Sequence, residues 1–87
     1  MTPDDMEALR AKAQRAAEVL GDAGWVFDEF IKAETESMLA TDDNQADARE
    51  RHYRLIRAAA EVKARLIVTA QSYNVEATLA DRRTQQR

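Results

Sequence analysis

The sequence has no cysteine, one proline and two glycines among its 87 residues. Without cysteine, the chain has neither a disulfide nor a thiolate metal site to stabilise it. The scarcity of proline and glycine, together with the absence of β-branched runs, is typical of an all-helical protein. A domain of this size buries only about 60% of its unfolded surface, so oligomerisation is the main stabilising route that remains.

Long hydrophobic runs are also absent. No apolar stretch approaches the roughly 18 residues of a membrane span, and the charged start lacks the apolar core of a secretory signal. We therefore expect an intracellular protein with no membrane partner. The net charge is −3, with residues 1–50 acidic overall and residues 51–87 basic overall. The two parts are expected either to lie antiparallel within one fold, or to meet between subunits or contact phosphate.

The first predicted helix has signals at both ends. Thr2 is a good N-cap, Pro3 suits the first helical position, and Gly21 is typical of the residue that follows a helix. The apolar stripe of this helix is rich in alanine and buries little. The stretch GDAG at 21–24 is predicted to be a break between two helices.

A second break is predicted at the polar stretch TDDNQAD, residues 41–47, where Asp42 or Asp43 is expected to cap the next helix. The expected fold is all-α: an antiparallel helical hairpin with a short N-terminal helix and a long third helix. It forms one small domain over residues 1–87, with a basic tail over 74–87. The three predicted helices span about 3–20, 23–40 and 44–72.

The long third helix has apolar residues on two sides. One apolar seam can pack on the second helix and so form the hairpin. The other seam has coiled-coil spacing. Because the first helix is too poor in large apolar groups to cover the second seam, a second protein chain is the expected cover. The alternative is a closed monomeric bundle with an exposed leucine or two. The two seams are Tyr53, Ile56, Ala60 and Ile67, and Leu55, Ala59, Val62, Leu66 and Tyr73.

The second predicted helix has one main apolar face. Trp25 points roughly opposite to it and is expected either to anchor a partner or to cap a small core. Glu34 projects into the face, either at a solvated edge or paired with an arginine. The residues of the face are Val26, Phe27, Phe30, Ile31, Ala33 and Met38. The predicted partner interface consists of Trp25, Leu55, Val62, Leu66 and Tyr73.

No set of catalytic or metal-ligating residues is recognisable. His52 is the sole histidine and lies beside an apolar seam, where a structural role is expected rather than a base or a ligand. The stretch DDNQAD lacks the glycine and the terminal glutamate of a calcium loop. We expect no enzyme activity, no metal and no cofactor. The basic end is expected to be solvated or to contact phosphate or an acidic partner through Arg82, Arg83 and Arg87.

One segment combines an amphipathic helix over 27–40, the tripeptide Ala48-Arg49-Glu50, an aromatic residue at Tyr53 and a long apolar helix through 62–66. In this order the elements resemble a group of small uncharacterised helical proteins encoded among the head and packaging genes of tailed phages and prophages. That group has a tryptophan where this chain has Tyr53. The resemblance covers roughly half the chain. It implies a phage origin and a role in particle assembly, and it transfers no catalytic or binding residue.

The expected function is that of a non-enzymatic virion structural or assembly protein. It would act in the host cytoplasm or in the virion, bound to itself or to a larger capsid, portal or packaging protein. One alternative is a small DNA-packaging adaptor, which would bind DNA with a steep salt dependence. Another is an acidic helical inhibitor that uses residues 22–50 against a host protein. Nucleic acid is the less favoured partner.

Overall fold

The computed structural model describes residues 2–85, and in this range the chain forms two α-helices joined by a short loop. Helix α1 is Pro3–Leu39 and helix α2 is Ala46–Gln85. The helices pack antiparallel against each other and form a rod with principal extents of 65 × 25 × 17 Å. The prediction of an all-helical, antiparallel hairpin is confirmed.

The predicted three-helix arrangement is wrong, because α1 continues without interruption through the GDAG stretch at 21–24. Neither glycine has a positive φ, so neither adopts the left-handed conformation that ends a helix. The face that packs on α2 continues across the stretch. Helix packing therefore outweighs a propensity cost of about 1 kcal/mol for each glycine.

Alanine is expected to stabilise the protein at both glycines. A Cβ added to Gly21 or Gly24 would meet no atom within 4 Å, so each substitution gains up to about 1 kcal/mol of helix propensity without a clash. Thermal unfolding followed by circular dichroism measures the gain as a higher Tm. Gly21 is exposed and Gly24 is buried, so Gly21→Ala reports propensity alone. A lower Tm for Gly21→Ala would show that α1 is interrupted in solution.

Helix α1 starts after the predicted N-cap Thr2, and the structure adds a capping box there. The Thr2 hydroxyl accepts a hydrogen bond from the backbone N–H of Asp5 at 3.1 Å, and the Asp5 carboxylate accepts one from the backbone N–H of Thr2 at 3.2 Å. These bonds satisfy two donors that a helix start leaves unpaired. Hydrogen bonds with the side chain and then the backbone of Thr2 hold the pKa of Asp5 below its ordinary value.

Thr2→Ala is expected to lower Tm at neutral pH and to have a smaller effect in acid. A carboxyl group with a lowered folded-state pKa contributes stability above its unfolded pKa and loses that contribution as pH falls through the folded value. Once Asp5 is protonated, its part of the capping box is already weakened, so less remains for the substitution to remove. Melting curves of both proteins across acid and neutral pH provide the test. An equal Tm difference at every pH would contradict the coupling.

The loop between the helices ends later than predicted. Helix α2 begins at Ala46, so Asp42 and Asp43 lie too far upstream to cap it, and that prediction is wrong. Instead, the Gln45 side chain accepts a hydrogen bond from the backbone N–H of Asp42 at 2.8 Å. From the first turn of α2, the Arg49 guanidinium donates to the Asp42 carbonyl oxygen, also at 2.8 Å. The loop is thus tied to the helix that follows it.

The far end of α2 also differs from the prediction. The helix continues to Gln85, so the predicted helix end at about residue 72 is wrong, and the described part of the predicted tail, residues 74–85, is helical. Arg82 and Arg83 lie in the last turn of α2 and are exposed. Their positive charges interact favourably with the negative C-terminal end of the helix dipole. Arg87 lies outside the described residues.

Candidate interaction surface

The helices meet along a seam of side chains spaced alternately by three and four residues, which is coiled-coil spacing. Among the described residues, the hydrophobic side chains buried in this seam are the alanines Ala13 and Ala16, which are 6% and 4% exposed. Two helices alone cannot enclose a large side chain, so the bigger members of the seam are only half-buried. These are Met6, Leu9, Leu20, Phe27, Ile31 and Met38 on α1, and Ile56, Leu66 and Tyr73 on α2.

Two polar side-chain contacts cross the seam and fix its register. His52 Nδ1 lies 2.5 Å from Glu34 Oε2 with both side chains about 20% exposed, and Lys63 Nζ donates to Asp28 Oδ1 at 2.5 Å. In each pair the acid lies on α1 and the base on α2, so the acidic and basic parts of the chain do lie antiparallel within one fold. Neither alternative predicted for Glu34 is right, because its partner is a histidine.

One side of the rod carries an open apolar groove of about 380 Å³. Both helices contribute to its walls, and the exposed lining is entirely apolar. The large side chains along it remain in solvent: Val26 is 47% exposed and Val62 is 49% exposed. The groove is lined by Val26, Phe27, Phe30, Leu55, Ala58, Ala59 and Val62. We call its exposed members Val26, Phe30, Leu55 and Val62, together with Val19 on the same side of α1, the apolar face.

The apolar face follows a second heptad pattern on each helix. On α1, an uncharged row with alternating steps of three and four residues runs beside the seam that closes the hairpin. It branches from the seam at Ala16 and consists of Val19, Ala23, Val26, Phe30, Ala33 and Ser37. On α2, Leu55, Ala58 and Val62 continue the same spacing. Rows of this period lie along one side of a helix and are typical of a surface that packs against further helices.

The predicted interface residues do not form one surface. Leu55 and Val62 lie in the groove, whereas Leu66 and Tyr73 are half-buried in the seam between the helices. Trp25 is 60% exposed, and its indole N–H donates to the Asp22 carbonyl oxygen at 3.1 Å. Its position lies about 100° around the axis of α1 from that of Val26, the next residue, which lines the groove. The tryptophan is therefore separate from the apolar face.

Sequence reasoning missed the contribution of α1 to this surface. Val26 and Phe30 were assigned to the face that closes the hairpin, and Val19 was left out. The signal that finds them is the seven-residue step from Val19 to Val26, continued by Ala33. This step crosses the false break at 21–24, so dividing α1 into two helices concealed it.

The side of the rod opposite the apolar face carries charged side chains among its apolar ones. The Arg57 guanidinium lies 5.9 Å from the ring centre of Tyr53. Asp28, which binds Lys63, is about 160° of helical rotation from Phe30. Two i,i+4 ion pairs form along the outside of α2, Glu50–Arg54 and Glu61–Arg65. Charged side chains thus interrupt this side of the rod, and the exposed Val68, Val75 and Leu79 of α2 lie outside the groove.

Comparisons of the chain with models of known protein families, with curated proteins and with solved structures give no match. Within residues 2–85, no helix combines the length and apolar character needed to cross a bilayer. No group of three or more histidine, cysteine, aspartate or glutamate side chains in this range is arranged to hold a metal ion. The apolar face is the feature from which a function can be inferred.

Proposed function

We propose that this chain is a non-enzymatic helical protein that associates with other protein chains through the apolar face. The observation that carries the proposal is the uncharged groove, to which both helices contribute and whose valines are about half exposed. Apolar surface removed from water contributes roughly 25 cal/mol for each Å². A continuous exposed apolar patch on a small protein marks an interaction surface more often than a solvated one.

The setting we propose is the assembly of a tailed-phage particle, in the host cytoplasm or in the virion. The resemblance of residues 21–66 to small proteins of phage head and packaging genes supports it, as does a rod shape suited to packing in many copies. The partner is the chain itself or a larger capsid, portal or packaging protein. Association through a uniform helical face needs no catalytic group and no cofactor.

Deletion of the gene from a phage or prophage that carries it tests this setting. We expect the yield of complete particles to fall and the chain to restore it when supplied from a plasmid. A plasmid copy with Val62→Arg should fail to restore it, whereas one with Ile67→Arg, on the charged side of the rod, should succeed. Normal particle yield without the gene would contradict the proposal.

The packaging-adaptor alternative is favoured by one observation, the exposed Arg82 and Arg83 at the end of α2. An adaptor of this kind binds DNA through phosphate contacts, so its affinity falls steeply with salt. Fluorescence anisotropy with a labelled DNA duplex at low and physiological salt separates the two functions. Tight, salt-sensitive binding that Arg82→Ala with Arg83→Ala removes would favour the adaptor.

A further inference from the structure

We infer that the apolar face is covered by a second copy of this chain, related by a twofold axis, so that two hairpins form a four-helix bundle. This inference rests on the proposed function and names its partner. Its first support is the area that one hairpin leaves exposed. The chain exposes 6966 Å², whereas a compact monomer of 9.8 kDa exposes about 5,200 Å².

The excess of about 1,800 Å² for one chain is about twice the roughly 800 Å² that a standard interface takes from each partner, and it lies within the roughly 1,000–2,500 Å² that each partner of an obligate homodimer buries. A single hairpin is therefore more open than a folded monomer of its mass, by an amount that an obligate dimer interface removes from one partner. Small residues in the groove, such as Ala58 and Ala59, allow a second pair of helices to approach closely. Packing a second hairpin on this side encloses the half-buried seam, which two helices cannot do.

The apolar face is also complementary to itself. A twofold interface places the same patch on both partners, and this patch is free of charge, so no like charges are forced together in its centre. Its borders have opposite signs. On α1, Val26 is flanked by Asp22 and Glu29, with Arg15 beside Val19 as the one basic residue of that border. On α2, Leu55 and Val62 are flanked by Arg51 and Arg65, of which Arg65 also pairs with Glu61. These flanking residues are three or four positions away and lie next to the patch on the helix surface.

The border charges select an arrangement of the two copies. When α1 of one copy packs beside α2 of the other, the acidic border of the first meets the basic border of the second. Packing α1 beside α1 would instead place Asp22 and Glu29 against the same acids of the partner. Complementary borders set orientation and partner choice more than raw affinity. The bundle we infer therefore alternates α1 and α2 around its core.

Native mass spectrometry and sedimentation across a concentration series test the stoichiometry. We expect a dimer, with its Kd raised about 30-fold or more by Val62→Arg, as for a residue at the centre of an interface. Ile67→Arg is the matched control: a comparable exposed aliphatic residue on the same helix, whose substitution should leave the Kd unchanged. A folded monomer of full helicity at every concentration would overturn the inference, as would equal effects of the two substitutions.

Cross-linking gives a second readout that does not depend on a destabilising charge. Since the chain has no cysteine, a single introduced thiol is unique. Because the inferred bundle places α1 beside α2 of the other copy, a Val26→Cys chain mixed with a Val62→Cys chain and a short bismaleimide should give covalent heterodimers in high yield. A Trp25→Cys chain mixed with the Val62→Cys chain should not, because position 25 lies on another side of α1. Dimers linked through position 25 and not 26 would overturn the inferred face but leave association through another surface open. The gene-deletion experiment described above tests the proposed function independently of these measurements.

Discussion

Ala16→Glu is expected to unfold the hairpin at room temperature. Ala16 is 4% exposed at the line where α1 and α2 come closest, so a glutamate there both overpacks the seam and buries an unpaired charge. A buried charge without a partner costs about 3–5 kcal/mol, and a core of this size supplies about the same in total. Far-UV circular dichroism with thermal and urea unfolding measures the loss.

Ala17→Glu is the matched control for this experiment. Ala17 is the next residue of the same helix and is exposed, so the substitution changes charge and helix propensity equally without entering the seam. We expect its Tm to remain within a few degrees of the parent. If Ala16→Glu were tolerated as well as Ala17→Glu, the two helices would not pack through this face.

The second large effect is expected at the pair formed by Glu34 and His52. Truncating either residue to alanine leaves the other with no partner in a half-buried seam, at an expected cost of about 1–3 kcal/mol. Replacing both by leucine should recover much of that cost, because the seam is otherwise apolar. A double-mutant cycle by urea denaturation gives the coupling energy.

The exposed pair Glu50–Arg54 provides the reference for this cycle. Its side chains are 60% and 76% exposed, and an i,i+4 pair on a helix surface contributes about 0.2–0.5 kcal/mol. We expect the coupling of Glu34 and His52 to exceed this value clearly. Equal coupling energies would mean that the seam pair does not hold the register of the hairpin.

Composition and spacing were enough to predict an all-helical hairpin with a loop near residues 41–47. They failed at 21–24, because a glycine after an apolar stripe is a local end signal, whereas the helix is maintained by packing across its whole length. The prediction for the C-terminal part of the chain was wrong for a similar reason. Residues 74–85 have few large apolar groups of their own, yet α2 continues through them.

The candidate site could be predicted in part. Leu55 and Val62 were found because their spacing is visible within α2 alone. Their companions Val26 and Phe30 were not separated from Phe27 and Ile31, because the division between seam and groove depends on the angle at which α2 lies against α1. The partner of Glu34 was missed for the same physical reason: register depends on where the loop ends, and neither charge nor hydropathy encodes that position.

The uninterrupted α1 has a mechanical consequence. Its two glycines lie near mid-length, one turn apart, whereas α2 has no glycine or proline across its 40 residues. The two helices therefore differ in stiffness. The more flexible position lies on α1, about halfway between the interhelical loop and the opposite end of the rod. A rod built in this way is expected to bend preferentially in one plane.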